Sequence, residues 1–166
     1  MGYNVLPKVI TQDEFKKIMK HTKKQSHKLA FALGFFCGLR ISEVCKLRPE
    51  DVDKGRGMLF IRQAKGGKDR YVPIAPPIRK GLKHLPIGLH KRSLQGAINR
   101  ASIRGIGRRI KFHTLRHSAA TNYLQKGMNI RQIQQLLGHS RLDTTMIYTH
   151  VSPDDVKKKM EEIWGA

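Results

Sequence analysis

Acidic side chains are scarce in this sequence: 12 Asp and Glu stand against 33 Lys and Arg, for a formal net charge of +21 over 166 residues. So large an excess repels itself in the folded state unless a polyanion is the usual partner. Cysteine is nearly absent as well, with Cys37 and Cys45 the only two. Carried on one helix they would lie about 12 Å apart along its axis, too far for a disulfide. That excludes a disulfide framework and suits a reducing, intracellular setting. Long apolar runs are missing too. The longest, residues 29–39, is interrupted by Gly34 and Gly38 and is too short to span a bilayer. No secretory signal opens the chain, and no basic amphipathic anchor or lipidation signal points to a membrane surface. The expectation is a cytoplasmic, DNA-associated protein with no membrane partner, because nucleic acid is the polyanion that phosphate neutralisation favours most.

What is present fits one domain with one core. Thr11 and Glu14 make a capping box, and Phe15, Ile18 and Met19 give the following helix an apolar face. A second helix is expected over 26–37, ended by Gly38, with a shorter one over "ISEVCKL". Residues 48–57, rich in charge and punctuated by Gly and Pro, read as a connection. Residues 58–63 and 70–74 are β-prone and flank a Gly-Gly turn, which predicts a hairpin. Residues 78–110 are basic and irregular except for a helix near 94–102. The closing part is helical over 114–126 and 130–137, with stops at Gly127 and Gly138 and a new start near Asp143. Ser152 and Pro153 open a terminal helix over about 153–164, with Val156, Met160, Ile163 and Trp164 as its apolar stripe.

The stretch "HTLRHSAATNYLQKGMNIRQIQQLLGHSRLDTTMIYTH" at 113–150 concentrates the residues that can do chemistry. Three readings compete there. His113 and His117 share a helix face, but no acid lies between them as in the metalloprotease motif and both cysteines are remote, so no metal is expected. Two helices joined across "KGMN" in a basic protein also look like a non-catalytic helix-turn-helix module, with "NIRQIQQLL" as its reading helix. The third reading is a catalytic set around a nucleophilic tyrosine. Taken alone, the helical spacing of Ile130, Ile133, Leu136 and Leu137 fits packing into a core equally well, which leaves a DNA reader and a plain helical bundle both open.

Four blocks in order decide between them: "GLRISEVCKL" with Arg40 and Glu43, "AKGGKDRYVPI" with Lys65, His113-x-x-Arg116, and His139 in "LLGHS" followed by Tyr148 in "YTH". Together they resemble the catalytic domain of the tyrosine recombinases, the phage-integrase family, especially its Xer-like and archaeal members. The resemblance runs from about residue 6 to 156. It implies an α+β fold: a mainly helical catalytic domain with a small antiparallel β-sheet, shared with type IB topoisomerases. It also implies a DNA strand transferase working through a covalent 3′-phosphotyrosine. Arg40, Lys65, His113, Arg116, His139 and Tyr148 then match the six catalytic positions, and Glu43 matches the supporting acid, with His117 beside it. Lys65, Lys68 and Arg70 on the hairpin are expected to contact DNA.

The residue types suit that chemistry. Arginines hold the negative non-bridging oxygens of a phosphodiester while staying ionised at any relevant pH. His139 adds a donor, and preorganised donors supply most of such a rate enhancement. A tyrosine hydroxyl titrates near about 10, so its proton needs an acceptor, the role the resemblance gives to His113. Lys65 is placed to protonate the departing 5′-oxygen. No cofactor is expected, since the bond energy is kept in the phosphotyrosine and the arginines replace a metal. The bland readings are specific. Lys68 lies just across the turn from Lys65, Arg40 could serve only as a cap or partner of Glu43, and His150 reads as structural. The resemblance further implies double-stranded DNA as partner and a homotetramer on DNA, with the terminal helix docking on a neighbouring protomer or on its own chain. It also gives the expectation that the family's N-terminal DNA-clamping domain is absent from residues 1–166, with the alternative of a catalytic fragment that has only topoisomerase-like nicking and religation.

Overall fold

The computed structural model describes residues 9–62, 67–138 and 152–165. Thr11 caps α1 (Gln12–Lys20) through the predicted capping box: its hydroxyl accepts the Glu14 amide and the Glu14 carboxylate accepts its own. The middle of the molecule is α2 (Gln25–Cys37), which is buried from Leu29 to its end. A helix apolar on all sides has to sit inside a core, and α2 is covered by the later elements of the chain. Gly38 turns the backbone into the left-handed region at φ 67, and α3 (Ile41–Lys46) follows.

The charged connection after α3 holds more structure than its composition suggests. A short 3-10 turn (Pro49–Asp51) leads into β1 (Val52–Asp53), which pairs antiparallel with β2 (Met58–Ile61). β2 pairs in turn with β3 (Arg70–Pro73), so the expected hairpin is the inner part of a three-stranded antiparallel sheet. Its register sets Leu59 against Val72 and Ile61 against Arg70, and those four side chains point to the core. Residues 76–84 form a second 3-10 segment, opened by two prolines, that packs on α2.

Next comes α4 (Lys91–Ile106), longer at both ends than the expected helix. It crosses α1 so closely that a Cβ on Gly105 would stand 2.9 Å from the Lys17 carbonyl. α5 (Phe112–Gln125) lies on α2 and starts early enough to include His113, while Asn129 caps α6 (Ile130–Leu137).

The terminal helix α7 (Pro153–Trp164) begins at Ser152, whose hydroxyl accepts the Asp155 amide. It packs on α6 and β3 of its own chain, burying Val156 and Met160. Trp164 finishes the docking: its ring meets Phe36 edge-on at 5.3 Å, its indole N–H donates to the Tyr123 hydroxyl (3.1 Å), and the Lys126 ammonium sits 4.4 Å over its face. Both cysteines are free thiols, on separate helices. No helix among the described residues is long and apolar enough to cross a membrane.

Candidate active site

Three chain segments far apart in sequence meet at one buried carboxylate. Glu43 occupies the third position of α3, where it accepts the Arg40 backbone N–H at 2.8 Å on Oε1. Arg70 reaches the same carboxylate from β3 with both prongs of its guanidinium, 2.5 Å to Oε2 and 3.2 Å to Oε1. Arg116 arrives from α5 and stands 3.9 Å from Oε1, inside ion-pair range but beyond hydrogen-bond length. All three side chains are buried, Glu43 6% exposed, Arg70 8% and Arg116 3%.

The end of α6 completes the cluster. A helix leaves its last four carbonyls without partners, and cations are favoured there. Arg70 donates from Nε to the Leu136 carbonyl (3.2 Å), and Arg116 donates from Nη2 to the Leu137 carbonyl (2.9 Å). A further bond from Arg116 Nη1 goes to the carbonyl of Gly38 (2.9 Å), tying α2 in as well. Gly138 follows at φ 69, and a Cβ there would lie 2.7 Å from Cδ of Arg70. The arginine side chain fills the space that any other residue at 138 would need.

The electrostatics are lopsided. Two buried guanidiniums share one carboxylate, which leaves an uncompensated positive charge in a place where charge is expensive. Burial by itself would raise the Glu43 pKa, yet the Arg70 bonds and charge, the Arg40 amide and the Arg116 charge outweigh it and hold the carboxyl below its usual value. Burial pushes Arg116 down to about 10, with Arg40 repelling it and Glu43 opposing the shift. It is still a cation at neutral pH.

At the rim the character changes. Arg40, His113 and His117 are exposed. The two imidazoles meet edge-to-face with ring centres 4.3 Å apart. Partial burial and then the charges of His117, Arg116 and Arg40 hold His113 below its ordinary 6.5. That favours the neutral form, the one that can accept a proton. Arrangements of this kind, with fixed donors beneath an open, neutral base, suit an anion that must be held while a proton is removed.

The expected residues divide accordingly. Arg40, Glu43, His113, Arg116 and His117 come together around this cluster, and Lys68 is exposed on the hairpin. Arg70 is a correction. Expected on the DNA-facing hairpin, it points inward because its strand position pairs with Ile61 on the core side, and its guanidinium is committed to Glu43 and Leu136. Lys65, His139, Tyr148 and His150 lie outside the described residues. Of the four tyrosines in the sequence, Tyr123 is unfit as a nucleophile. It is buried, its hydroxyl donates to the Phe36 carbonyl at 2.6 Å, and burial drives its titration far up. The helix-turn-helix look of α5 and α6 has a packing explanation, since Ile133, Leu136 and Leu137 are in the core. Gly38, Arg70 and Gly138 are the members of this cluster whose place in it the sequence did not give. The glycine stops were visible, but not what fills the space beside them.

Known proteins match this chain along most of its length. The model of the phage integrase family matches residues 8–155. The tyrosine recombinase XerA of Thermococcus onnurineus (strain NA1) is 37% identical over 178 aligned residues, covering 95% of this chain and 63% of that protein. Among solved structures, the integrase from mycobacterium phage Brujita superposes with a TM-score of 0.82 at 22% identity, covering 98% of this chain and 60% of that one. A lambda integrase tetramer bound to a Holliday junction gives a TM-score of 0.66 at 24% identity, covering 90% of this chain and 51% of that one. The chain spans about six-tenths of the length of the curated relative it matches.

Proposed function

The chain belongs to the phage integrase family, and on that premise we propose that it cleaves and rejoins double-stranded DNA at specific sites through a covalent bond between Tyr148 and a 3′-phosphate. The observation that carries this reading is the buried surplus of positive charge beneath an open rim. Arg116 is 3% exposed, and the carboxylate nearest to it is already taken by Arg70. A scissile phosphate in contact with Arg116 and Arg40 would balance that charge, and the +21 net charge of the chain draws the duplex in.

The proposed reaction is an in-line displacement at phosphorus. The Tyr148 oxygen bonds to phosphorus, its proton passes to neutral His113, and the bond to the 5′-oxygen breaks. That oxygen leaves as a hydroxyl, protonated by Lys65. His139 donates a further hydrogen bond to a non-bridging oxygen, beside those of Arg40 and Arg116. A 5′-hydroxyl from the same or another strand reverses the step, so religation and strand exchange use the same machinery without a cofactor.

Assembly is part of the reading. The reading includes a homotetramer on DNA, the state in which lambda integrase is seen on a Holliday junction; the place of α7 between neighbouring copies is a further part of the proposal, as is action inside the cell where the DNA lies. In the single chain α7 is docked on its own core, so contact between copies uses either its outer face or an exchange of the helix. Sedimentation with a duplex carrying two sites tests whether the assembly needs α7 at all. A chain ending at residue 152 that still forms the tetramer would rule out α7 as the joint.

The chemistry is tested with a nicked duplex that loses a short 5′-hydroxyl fragment after attack, so that religation fails. The wild-type chain should accumulate a protein–DNA adduct resistant to denaturant, and Tyr148→Phe should bind the same duplex without forming one. An adduct with Tyr148→Phe would mean that another residue attacks.

A further inference from the structure

The cluster around Glu43 contains one arginine more than phosphate binding requires. Arg116 and the rim residue Arg40 are available to a phosphate; Arg70 is turned inward and buried. Burying a guanidinium is costly, and a buried ion pair is seldom more stable than a well-packed apolar pair of similar volume. Stability alone is therefore a poor reason for a third arginine. The geometry supplies a better one.

Consider the carboxylate without Arg70. Glu43 would retain the Arg40 amide on Oε1, and the cation nearest to its remaining lone pairs would be Arg116, now 3.9 Å away. A carboxylate and a guanidinium with no competitor close to a two-pronged pair at about 2.8 Å. Such a pair is neutral, and its guanidinium has little left to offer a substrate anion. With Arg70 present, both carboxylate oxygens are already bonded, at 2.5 Å and 3.2 Å, and Arg70 is itself anchored by its Nε bond to Leu136. Arg116 is then held by neutral carbonyls, those of Gly38 and Leu137, which fix its plane without cancelling its charge. Gly138 keeps open the space that Arg70 occupies.

We propose that Arg70 is a positioning residue that keeps the Glu43 carboxylate off Arg116, so that Arg116 retains a full charge for the phosphate. The inference rests on the phosphate-site reading above for its functional consequence, though not for its geometry. It makes a distinctive statement about charge. Glu43, Arg70 and Arg116 together carry one net positive charge. Removing Arg70 leaves none. Removing Arg70 and Glu43 together restores one, on Arg116.

The experiment combines Arg70→Gln, Arg70→Lys and the double variant Glu43→Gln/Arg70→Gln, each confirmed as folded by circular dichroism. One arm is a crystal structure of Arg70→Gln in the full chain, which needs no DNA. The distance from Glu43 to Arg116 should close from 3.9 Å to about 2.8 Å. The other arm is the single-turnover adduct rate on the nicked duplex, with duplex affinity measured in parallel. Arg70→Gln should slow the adduct about 100-fold, with affinity changed less than about threefold, and the double variant should recover about tenfold of the loss. Arg70→Lys keeps the charge and should be the mildest of the three; it stands in for Arg70→Gln in the structure, as a carboxylate still held off Arg116, should the glutamine variant not fold. A Glu43 that stays away from Arg116 in Arg70→Gln overturns the proposal, and so does a double variant slower than the single one. If the wild-type chain forms no adduct at all, the reading of the function fails while the structural arm still decides the role of Arg70.

Discussion

Two glutamates in this chain sit in the same local setting and are put to different uses. Glu14 and Glu43 each occupy the third position of a helix, accept the backbone N–H of the residue that opens it, and pair with an arginine from a distant element. Each of those arginines also donates to a backbone carbonyl, Arg108 to Val9 and Arg70 to Leu136. The settings part at burial and at the cap. The side chains of Glu14 and Arg108 are 25% and 41% exposed, whereas those of Glu43 and Arg70 are 5% and 7%. Thr11 caps its helix with a hydroxyl, but the corresponding position before α3 is Arg40, which offers no side-chain cap and is exposed at the rim. A helix start that gives up its cap, and a buried pair joined by the second arginine Arg116, are local losses incurred at a site rather than in a scaffold.

The comparison breaks first under Glu43→Gln. Removing one partner of a buried ion pair leaves an unpaired charge inside, so about 3–5 kcal/mol of stability should be lost, measured by guanidinium unfolding. Gly138→Ala comes next. It forces an L-residue to φ 69 and brings its Cβ within 2.7 Å of Arg70, for an expected loss of about 1–3 kcal/mol. Glu14→Gln should be the mildest, at about 1 kcal/mol or less, and most of that should vanish in high salt while the Glu43 loss persists. Equal losses at the two glutamates would show that burial does not separate them.

Acid sharpens the same contrast. Glu43 is held below the ordinary carboxylate range in the folded chain, against the raising effect of burial. The stability it contributes is therefore fully present above the unfolded-state carboxylate pKa and is lost as pH falls through the lower folded value. Glu14 is lowered too, burial again opposing and the Thr11 amide and Arg108 prevailing. Unfolding midpoints followed from neutral pH downward should drop in the wild type, and Glu43→Gln should flatten that drop. His113 gives a kinetic counterpart. With its titration held below 6.5, adduct formation should decline on acidification as the base becomes protonated, at a lower pH than an ordinary imidazole would give. A rate still rising steeply above pH 7 would assign the proton to another group.

Much of this was legible in the sequence because it is local. The capping box at Thr11, the N-cap at Ser152, glycine stops at 38 and 138, and β-prone stretches about a Gly-Gly turn each act within a few positions, and the helices and hairpin follow from them. The family resemblance likewise anticipated that Arg40, Glu43, His113 and Arg116 would meet. Arg70 was misplaced for the opposite reason. In "GGKDRYVPI" it reads as one more hairpin cation, and only strand register and an acid 27 residues away turn it inward. Other misses share that cause. β1 is two residues long and exists only because β2 is there to pair with it. α4 runs past its expected C-terminal end through Gly105, a poor helix former that the close crossing of α1 requires.

The central claim is that Arg116 neutralises a charged non-bridging oxygen at the scissile phosphate. It is tested most directly by measuring the adduct rate of Arg116→Ala on two nicked duplexes, one with the normal phosphate and one with an uncharged methylphosphonate at the scissile position. If the arginine acts on that charge, the variant should lose about a thousandfold against wild type on the phosphate and less than about tenfold on the methylphosphonate. An equal loss on both would contradict the account and leave Arg116 a structural brace between α2 and α6.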